Sequence, residues 1–524
     1  MSFIQRILRW FVAQRQNTRL AFLLQISSRV LMSVCSLIWT PLLVSSMGKH
    51  LNGLFLSFQG LATLGGLGDL GIGGAINLQT SRLLGQGKEQ ELKRFLAAAR
   101  GAFLIVAAIT VMVFVVAAPS AFKSLGFHDD PNVGPIPFLV IAGALAVGCL
   151  VLNSYIANLS YGCGNIIWSI IPTFVLTQSS VLAHWLLARQ HMPLWLQYSP
   201  YVAATVLMLT TNWFFVRKSH PGLADIFPLQ LKGREMVDLI GRSFWVYLYC
   251  LAAGISITIS RLLINYKFGA EMVPVYQYNF RLCELALFVV NSASLASMPK
   301  ITQWLAAHTE ENRQRGIAEL TRLNRFQTFL GCGAVMVYLI ANDAFIRFWL
   351  GKDFHAPLAW QVAFAAHLGI TAAGFTGFEL ASRCCDHGVR VGGIAAVLAG
   401  LLNFVLAYVA AQYQSILGIA LSGVVAQTSA TLFLGWFSSK QIGISWWQLS
   451  VKNWLLALVM VGFGLAAKFA LDLSPGVAVL AIGLIALTAL IVTAKVIGMT
   501  VAELRREITI VQSMFGRKQP SNPH

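Results

Sequence analysis

Fourteen apolar runs, each long enough to cross a bilayer, constrain this chain more than any other feature. A hydrocarbon core about 30 Å thick takes roughly 20 apolar residues of helix. Runs of that size fall at residues 20–46, 54–81, 96–119, 136–159, 165–187, 198–216, 243–266, 273–299, 326–349, 357–382, 391–412, 416–437, 453–472 and 475–499. Lipid offers the backbone no hydrogen bonds, so runs like these must be helices. The pattern predicts an all-α polytopic membrane protein. Composition agrees: 57% of residues are hydrophobic, only 11% are charged, and the mean hydropathy is +0.69. Soluble domains carry about a quarter of their residues charged. The net charge of +18 therefore does not describe a nucleic-acid surface, which would be rich in charge, and nucleic acid is not an expected partner.

The distribution of that charge orients the spans. With a cytoplasmic N-terminus, 28 of the 38 Lys and Arg residues fall in cytoplasmic segments. Lys49, Lys123, Arg189, Lys267, Arg347 and Lys352 fall on the opposite side, and four cations lie within spans. One span added or removed would scramble this bias for every later loop, so both termini are predicted to be cytoplasmic. Residues 1–19 read as a basic amphipathic lead without a small-residue cleavage site. Residues 20–216 form an N-terminal lobe of six spans, 217–242 a cytoplasmic connecting loop, and 243–437 a C-terminal lobe of six spans. Two further spans occupy 453–499, and 500–524 is a tail that begins as a basic amphipathic helix able to lie on anionic lipid. The longest polar stretches, 217–242 and 300–325, have two readings, a docking surface for cytosolic enzymes or a solvated helix extension between spans. The eight cysteines show no zinc or redox spacing.

An internal repeat supports two equivalent lobes. Residues 42–61, LLVSSMGKHLNGLFLSFQGL, align without gaps onto 263–282, LINYKFGAEMVPVYQYNFRL. Gly48 falls on Gly269, Phe55 on Tyr276, Phe58 on Asn279 and Leu61 on Leu282. Each copy ends one helix, turns tightly at glycine and starts the next. The expectation is a pseudo-two-fold axis along the membrane normal with a cavity between the lobes.

GLGDLG at Gly66–Gly71 matches the dinucleotide pattern GxGxxG, but that fingerprint needs a strand and a soluble βαβ unit. Inside an apolar span the glycines instead allow close helix packing or a bend. The informative residues are the charges within spans, each costing roughly 2.5–3.5 kcal/mol at the bilayer centre on insertion scales. They are Arg29, Asp69, Arg261, Arg281, Glu284, Glu379 and Lys468. Arg29 lies about 9 residues, roughly 14 Å, above the cytoplasmic end of its helix, at a depth where Asp69 on the next helix could pair with it. Arg281 and Glu284 are one turn apart and can pair as well. Arg261 has no acid at its depth in its own helix. One reading makes Arg29, Arg261 and Arg281 ligands for an anionic group in the cavity, because guanidinium holds phosphate bidentately and keeps its proton. The other makes them structural ion pairs. Asp69, Glu284 and Glu379 are the supporting or coupling acids. Lys468 reads as snorkelling to the interface, and His184 and His367 as packing histidines rather than a proton relay. There is no metal-ligand cluster, Walker motif or nucleophile elbow, so no catalytic residue is expected.

GKHLNGLFLSFQGLATLGGLGDLGIGGAI at 48–76 resembles a signature of the polysaccharide (O-antigen, Wzx-type) flippases, relatives of the lipid II flippases and the MATE multidrug exporters. FIRFWLGKDF at 345–354 and GAEMVPVYQYNFRL at 269–282 are similar to two further segments of that family. The resemblance implies fourteen helices in two lobes, an alternating-access cavity and an undecaprenyl-pyrophosphate-linked oligosaccharide as cargo. By position, Asp69 matches the family's acid in the second helix. SSRVL at 27–31 is similar to the start of lipid II flippases and places Arg29 on their cavity arginine. The glycine and second charged position that follow there are absent between Met32 and Trp39, which argues against lipid II as cargo. Asn52 stands where the polysaccharide family has an aromatic residue before Gly53.

These observations lead to the expectation of a non-enzymatic flippase in a bacterial inner membrane. It would take no cofactor, draw on an H+ or Na+ gradient or the membrane potential, and meet lipid-linked oligosaccharide, membrane lipids, a polysaccharide polymerase and glycosyltransferases. A MATE-like cation-coupled drug exporter, a lipid II flippase and a membrane scaffold for glycosyltransferases are the alternatives.

Overall fold

In the computed structural model the described residues are 18–66, 72–127, 131–164, 166–223, 233–306, 309–385, 387–447, 451–471, 476–477 and 482–497. Among them there is no strand, and fourteen helices have seven or more residues. In chain order they are α1 (Thr18–Gly66), α2 (Ile72–Gly85), α3 (Glu89–Ser124), α4 (Ile136–Gly162), α5 (Ile166–Arg189), α6 (Leu194–Ser219) and α7 (Gly233–Phe268). There follow α8 (Met272–Ala306), α9 (Glu310–Trp349), α10 (Leu358–Cys384), α11 (Gly388–Gln412), α12 (Ile416–Ile442), α13 (Lys452–Leu471) and α14 (Ile482–Ile497). The first span and the start of the second are both in α1, which breaks at Gly48, where φ is 71° and ψ 175°. Gly269, the repeat partner of Gly48, also has a positive φ, 86°, between α7 and α8. Both turns need a residue without a Cβ, which is why glycine survives in an otherwise divergent repeat.

Eight helices are apolar enough over a sufficient length to cross a membrane by those criteria alone, among the described residues. Neither α7 nor α8, which carry Arg261, Arg281 and Glu284, is one of them. Large apolar side chains point outward at helical spacing: Met112 and Val116 on α3 are 60% and 74% exposed, and Leu398 on α11 and Phe469 on α13 are 62% and 71% exposed. A soluble monomer rarely shows such contiguous apolar surface, whereas lipid requires it.

The buried core falls into separate clusters. Phe58, Phe122, Phe127, Val147 and Tyr198 form one, and Ile72, Leu96, Phe103, Val151 and Leu159 a second, both built chiefly from α1 to α6. The largest joins α7 to α12 around Ile264, Val273, Tyr338, Phe364 and Ile419. A smaller cluster of Cys332, Met336, Ala457, Met460 and Ala489 seats α13 and α14 on α9. Small residues let these helices close up: a Cβ on Gly65 would stand 2.6 Å from Val147, and one on Gly369 3.0 Å from Ala457. Close packing is thus the role of Gly65, while Asp69 and the rest of 67–71 lie outside the described residues.

Stretch 300–325 is helical where it is described. α8 runs on to Ala306 and α9 starts at Glu310. The polar end of α9 is laced by pairs at one-turn spacing, Glu311–Arg315 at 2.6 Å, Glu310–Arg313 at 3.6 Å and Glu319–Arg322, the arrangement that supports a solvated helix. Met298, Ile301, Leu320 and Leu323 bury its apolar side against α8.

A two-armed arginine cluster on a cavity wall

α7 and α8 form an antiparallel pair around the Gly269 turn, which carries Arg261 back beside the first turns of α8. Arg281 and Glu284 share a face of α8, and Arg281 Nη1 lies 2.9 Å from Glu284 Oε2. Arg261 Nη2 approaches the other oxygen, Oε1, at 3.8 Å, and Gln277 Nε2 donates to that same oxygen at 3.3 Å. One carboxylate therefore faces two guanidiniums, and the group keeps one net positive charge. Arg261, which lacked an acid on its own helix, finds it on α8. Its side chain is 16% exposed and its Nε is buried without a hydrogen-bond partner. Arg281 reaches further, donating from Nη2 to Ser36 Oγ on α1 at 3.2 Å. This contact ties the charged group to the other half of the chain.

Arg281 and Glu284 lie on the wall of a cavity of about 650 Å³. Its lining comes from α7, α8, α10, α11 and α12, with Ser33 contributed by α1. Ser33 is one helical turn from Arg29. The side chains of Arg29 and Glu379 are outside what the structure describes, as is Asp69, so the Arg29–Asp69 pairing falls on undescribed residues. His367 also lines the cavity and packs edge-on to Phe280, ring centroids 5.5 Å apart. His184 stacks near Phe55 at 4.2 Å. Lys468 donates to Gln361 Oε1 at 2.9 Å, so it is engaged with a buried amide of α10.

Reading single charges missed the rest of this wall. Gln277, Arg281, Glu284, Phe288 and Asn291 all line the cavity, and their spacing of four, three, four and three residues is one stripe of a helix. That polar stripe in an apolar span was present in the sequence. The groups it meets on α10 to α12 carry no such mark.

On the side of the Gly48 and Gly269 turns, the two halves are sealed together. Tyr278 Oη donates to Asn52 Oδ1 at 2.7 Å and Asn265 Nδ2 to Ser57 Oγ at 2.9 Å, both buried. Lys49 Nζ donates to the Asp353 carbonyl at 2.7 Å, and Trp349 Nε1 to the Leu37 carbonyl at 2.5 Å. Gly53 lies so close to the Ala270 backbone that a Cβ would sit 1.8 Å from its carbonyl oxygen. Asn52, out of pattern as a residue before Gly53, is thus a hydrogen-bond acceptor for Tyr278.

The chain resembles solved structures along most of its length. It matches lipid II flippase MurJ in an inward closed conformation with a TM-score of 0.64 at 14% identity, covering 90% of this chain and 98% of that one. It matches an inward-facing MATE family multidrug resistance transporter of the MOP superfamily with a TM-score of 0.58 at 14% identity, covering 80% and 98%. A MOP superfamily transporter from Pyrococcus furiosus gives 0.51 at 16% identity, covering 88% and 96%. No protein-family model matches the sequence, and no curated protein matches it. Along most of its length the chain thus shares the fold of these solved transporter structures.

Proposed function

We propose that this chain is a flippase, not an enzyme, that carries an undecaprenyl-pyrophosphate-linked oligosaccharide across a bacterial inner membrane by alternating access, for surface polysaccharide synthesis. The observation that carries the reading is Glu284 held between Arg261 and Arg281 on a cavity wall, with Arg281 also bonded to Ser36 across the halves. With both termini cytoplasmic, the sealed side is the outer one, and cargo enters from the cytoplasm while its lipid tail stays in the bilayer.

The chemistry suits transient binding. Two arginines without a counter-ion would grip a pyrophosphate too firmly to release it. Because Glu284 already occupies Arg281, phosphate binding exchanges one charge-assisted interaction for another. Such interactions are worth about 1.5–3 kcal/mol each, so the net gain is the difference between two similar terms. Arg281 leaving Ser36 for the phosphate would also loosen a tie between the halves, coupling occupancy to their movement. Arg29, one turn from the cavity-lining Ser33, is proposed as the third cationic ligand, with Asp69 and Glu379 supporting or coupling. An H+ or Na+ gradient or the membrane potential would drive the cycle, and a polymerase and glycosyltransferases would work on either side of it.

An organic-cation exporter would need a carboxylate free to meet its cargo. Among the described lining residues the single carboxylate, Glu284, is already held by two arginines. In the native host, Arg261→Ala combined with Arg281→Ala should abolish surface polysaccharide at normal expression. Unchanged polysaccharide would remove the pyrophosphate role, and a gain of drug sensitivity instead would favour an exporter.

A further inference from the structure

Beyond the arginine cluster the cavity changes character. Between α8, α10, α11 and α12 its wall carries neutral polar groups, Asn291, Thr371, Asn403, Gln427 and Thr431. Two of them, Asn291 Oδ1 and Thr371 Oγ1, are buried and hydrogen-bond to no protein group. An unpaired buried polar atom is costly in a medium that offers no partner, so these two point to a ligand that supplies hydroxyls. One turn before Asn291 on α8, Phe288 also lines the cavity and offers it an aromatic face. Hydroxyl-rich edges next to apolar C–H faces describe a sugar ring. Among the described lining residues the Lys, Arg, Asp and Glu side chains are Arg281 and Glu284 alone, and both belong to the cluster, so this end offers uncharged partners to a sugar's hydroxyls. The volume, about 650 Å³, lies within the range of about 300–1,000 Å³ that encloses small ligands, so a short saccharide fits.

Resting on the flippase reading above, we infer that this part of the cavity is a separate subsite for the uncharged sugars nearest the pyrophosphate, with Asn291 and Thr371 as its specificity-determining ligands. The arginine cluster would then recognise what all such lipids share, and this subsite would select among glycans.

The test uses the full-length protein in nanodiscs and two sets of probes. One is bare undecaprenyl pyrophosphate, and the other is the same lipid carrying a panel of neutral di- and trisaccharides. The wild type should bind at least one glycosylated lipid about tenfold more tightly than the bare lipid. Thr371→Val with Asn291→Leu, near-isosteric changes checked for an unaltered melting temperature, should erase that preference and leave bare-lipid affinity within about twofold. A double variant that keeps the full preference overturns the subsite, as does a wild type that binds the bare lipid equally well. If the wild type binds neither bare nor glycosylated lipid, the flippase reading itself fails, a result distinct from the other two.

Discussion

Gly53 sits where the two halves come closest on the sealed side, and the smallest substitution there should open it. A Cβ at this position would lie 1.8 Å from the Ala270 carbonyl oxygen and 2.5 Å from its carbon, against ordinary contact at 3.4–4 Å. The two backbones must therefore part by about 1.6 Å, and the obstacle is main chain, which cannot rotate away. Overpacking of this kind costs about 1–3 kcal/mol. The same parting would stretch the adjacent Tyr278–Asn52 bond, now 2.7 Å, beyond hydrogen-bond range, which removes about 0.5–1.5 kcal/mol more. Together the sealed state loses about 1.5–4.5 kcal/mol, a shift of roughly 10- to 1,600-fold against it at 1.4 kcal/mol per factor of ten. Spin labels at Lys123 and Tyr413, exposed in opposite halves, would read this as a longer distance distribution in Gly53→Ala by double electron–electron resonance. Gly74, whose Cβ would meet nothing within 4 Å, supplies the control Gly74→Ala. If Gly53→Ala and Gly74→Ala give the wild-type distribution alike, the seal does not depend on this contact and the reasoning fails.

Glu284→Gln removes the resident anion from between Arg261 and Arg281, so bare undecaprenyl pyrophosphate should bind about tenfold more tightly while turnover falls, as measured by equilibrium binding and transport on the same preparation; the factor follows from one charge-assisted bond of about 1.5–3 kcal/mol no longer exchanged. Asn279 is fully buried, donates to the Val275 and Phe354 carbonyls at 2.8 Å each and accepts from Asn342 at 3.2 Å. Asn279→Ala should cost about 1–3 kcal/mol and lower the melting temperature without altering cargo preference.

Much of the architecture was legible in the residues. Hydropathy and charge placement gave the helices their number, and the register of Gly48 on Gly269 marked two turns that both adopt positive φ. Helix ends were less legible, because hydropathy stops at the membrane surface while hydrogen bonding does not: α9 begins at Glu310, well before its apolar run. Within the site, Arg281 and Glu284 could be paired from their spacing. That Arg261 shares the same carboxylate depends on the α7–α8 hairpin. Ser36, which receives Arg281 from 245 positions away, had no local mark at all. The same holds for Asn52, whose departure from the resembled pattern acquires its meaning from Tyr278. The cavity's neutral polar groups are spread over three helices, each ordinary in isolation, and only packing sets them opposite the α8 stripe.

Transfer of a fluorescent undecaprenyl-pyrophosphate-linked oligosaccharide between leaflets of proteoliposomes tests the central claim most directly. The wild type should move the lipid to the far leaflet, and the Arg261→Ala, Arg281→Ala double variant, reconstituted at equal density, should be slowed at least about tenfold. Equal rates for the two proteins, or vesicles that expel an organic cation while leaving the lipid in place, would contradict it.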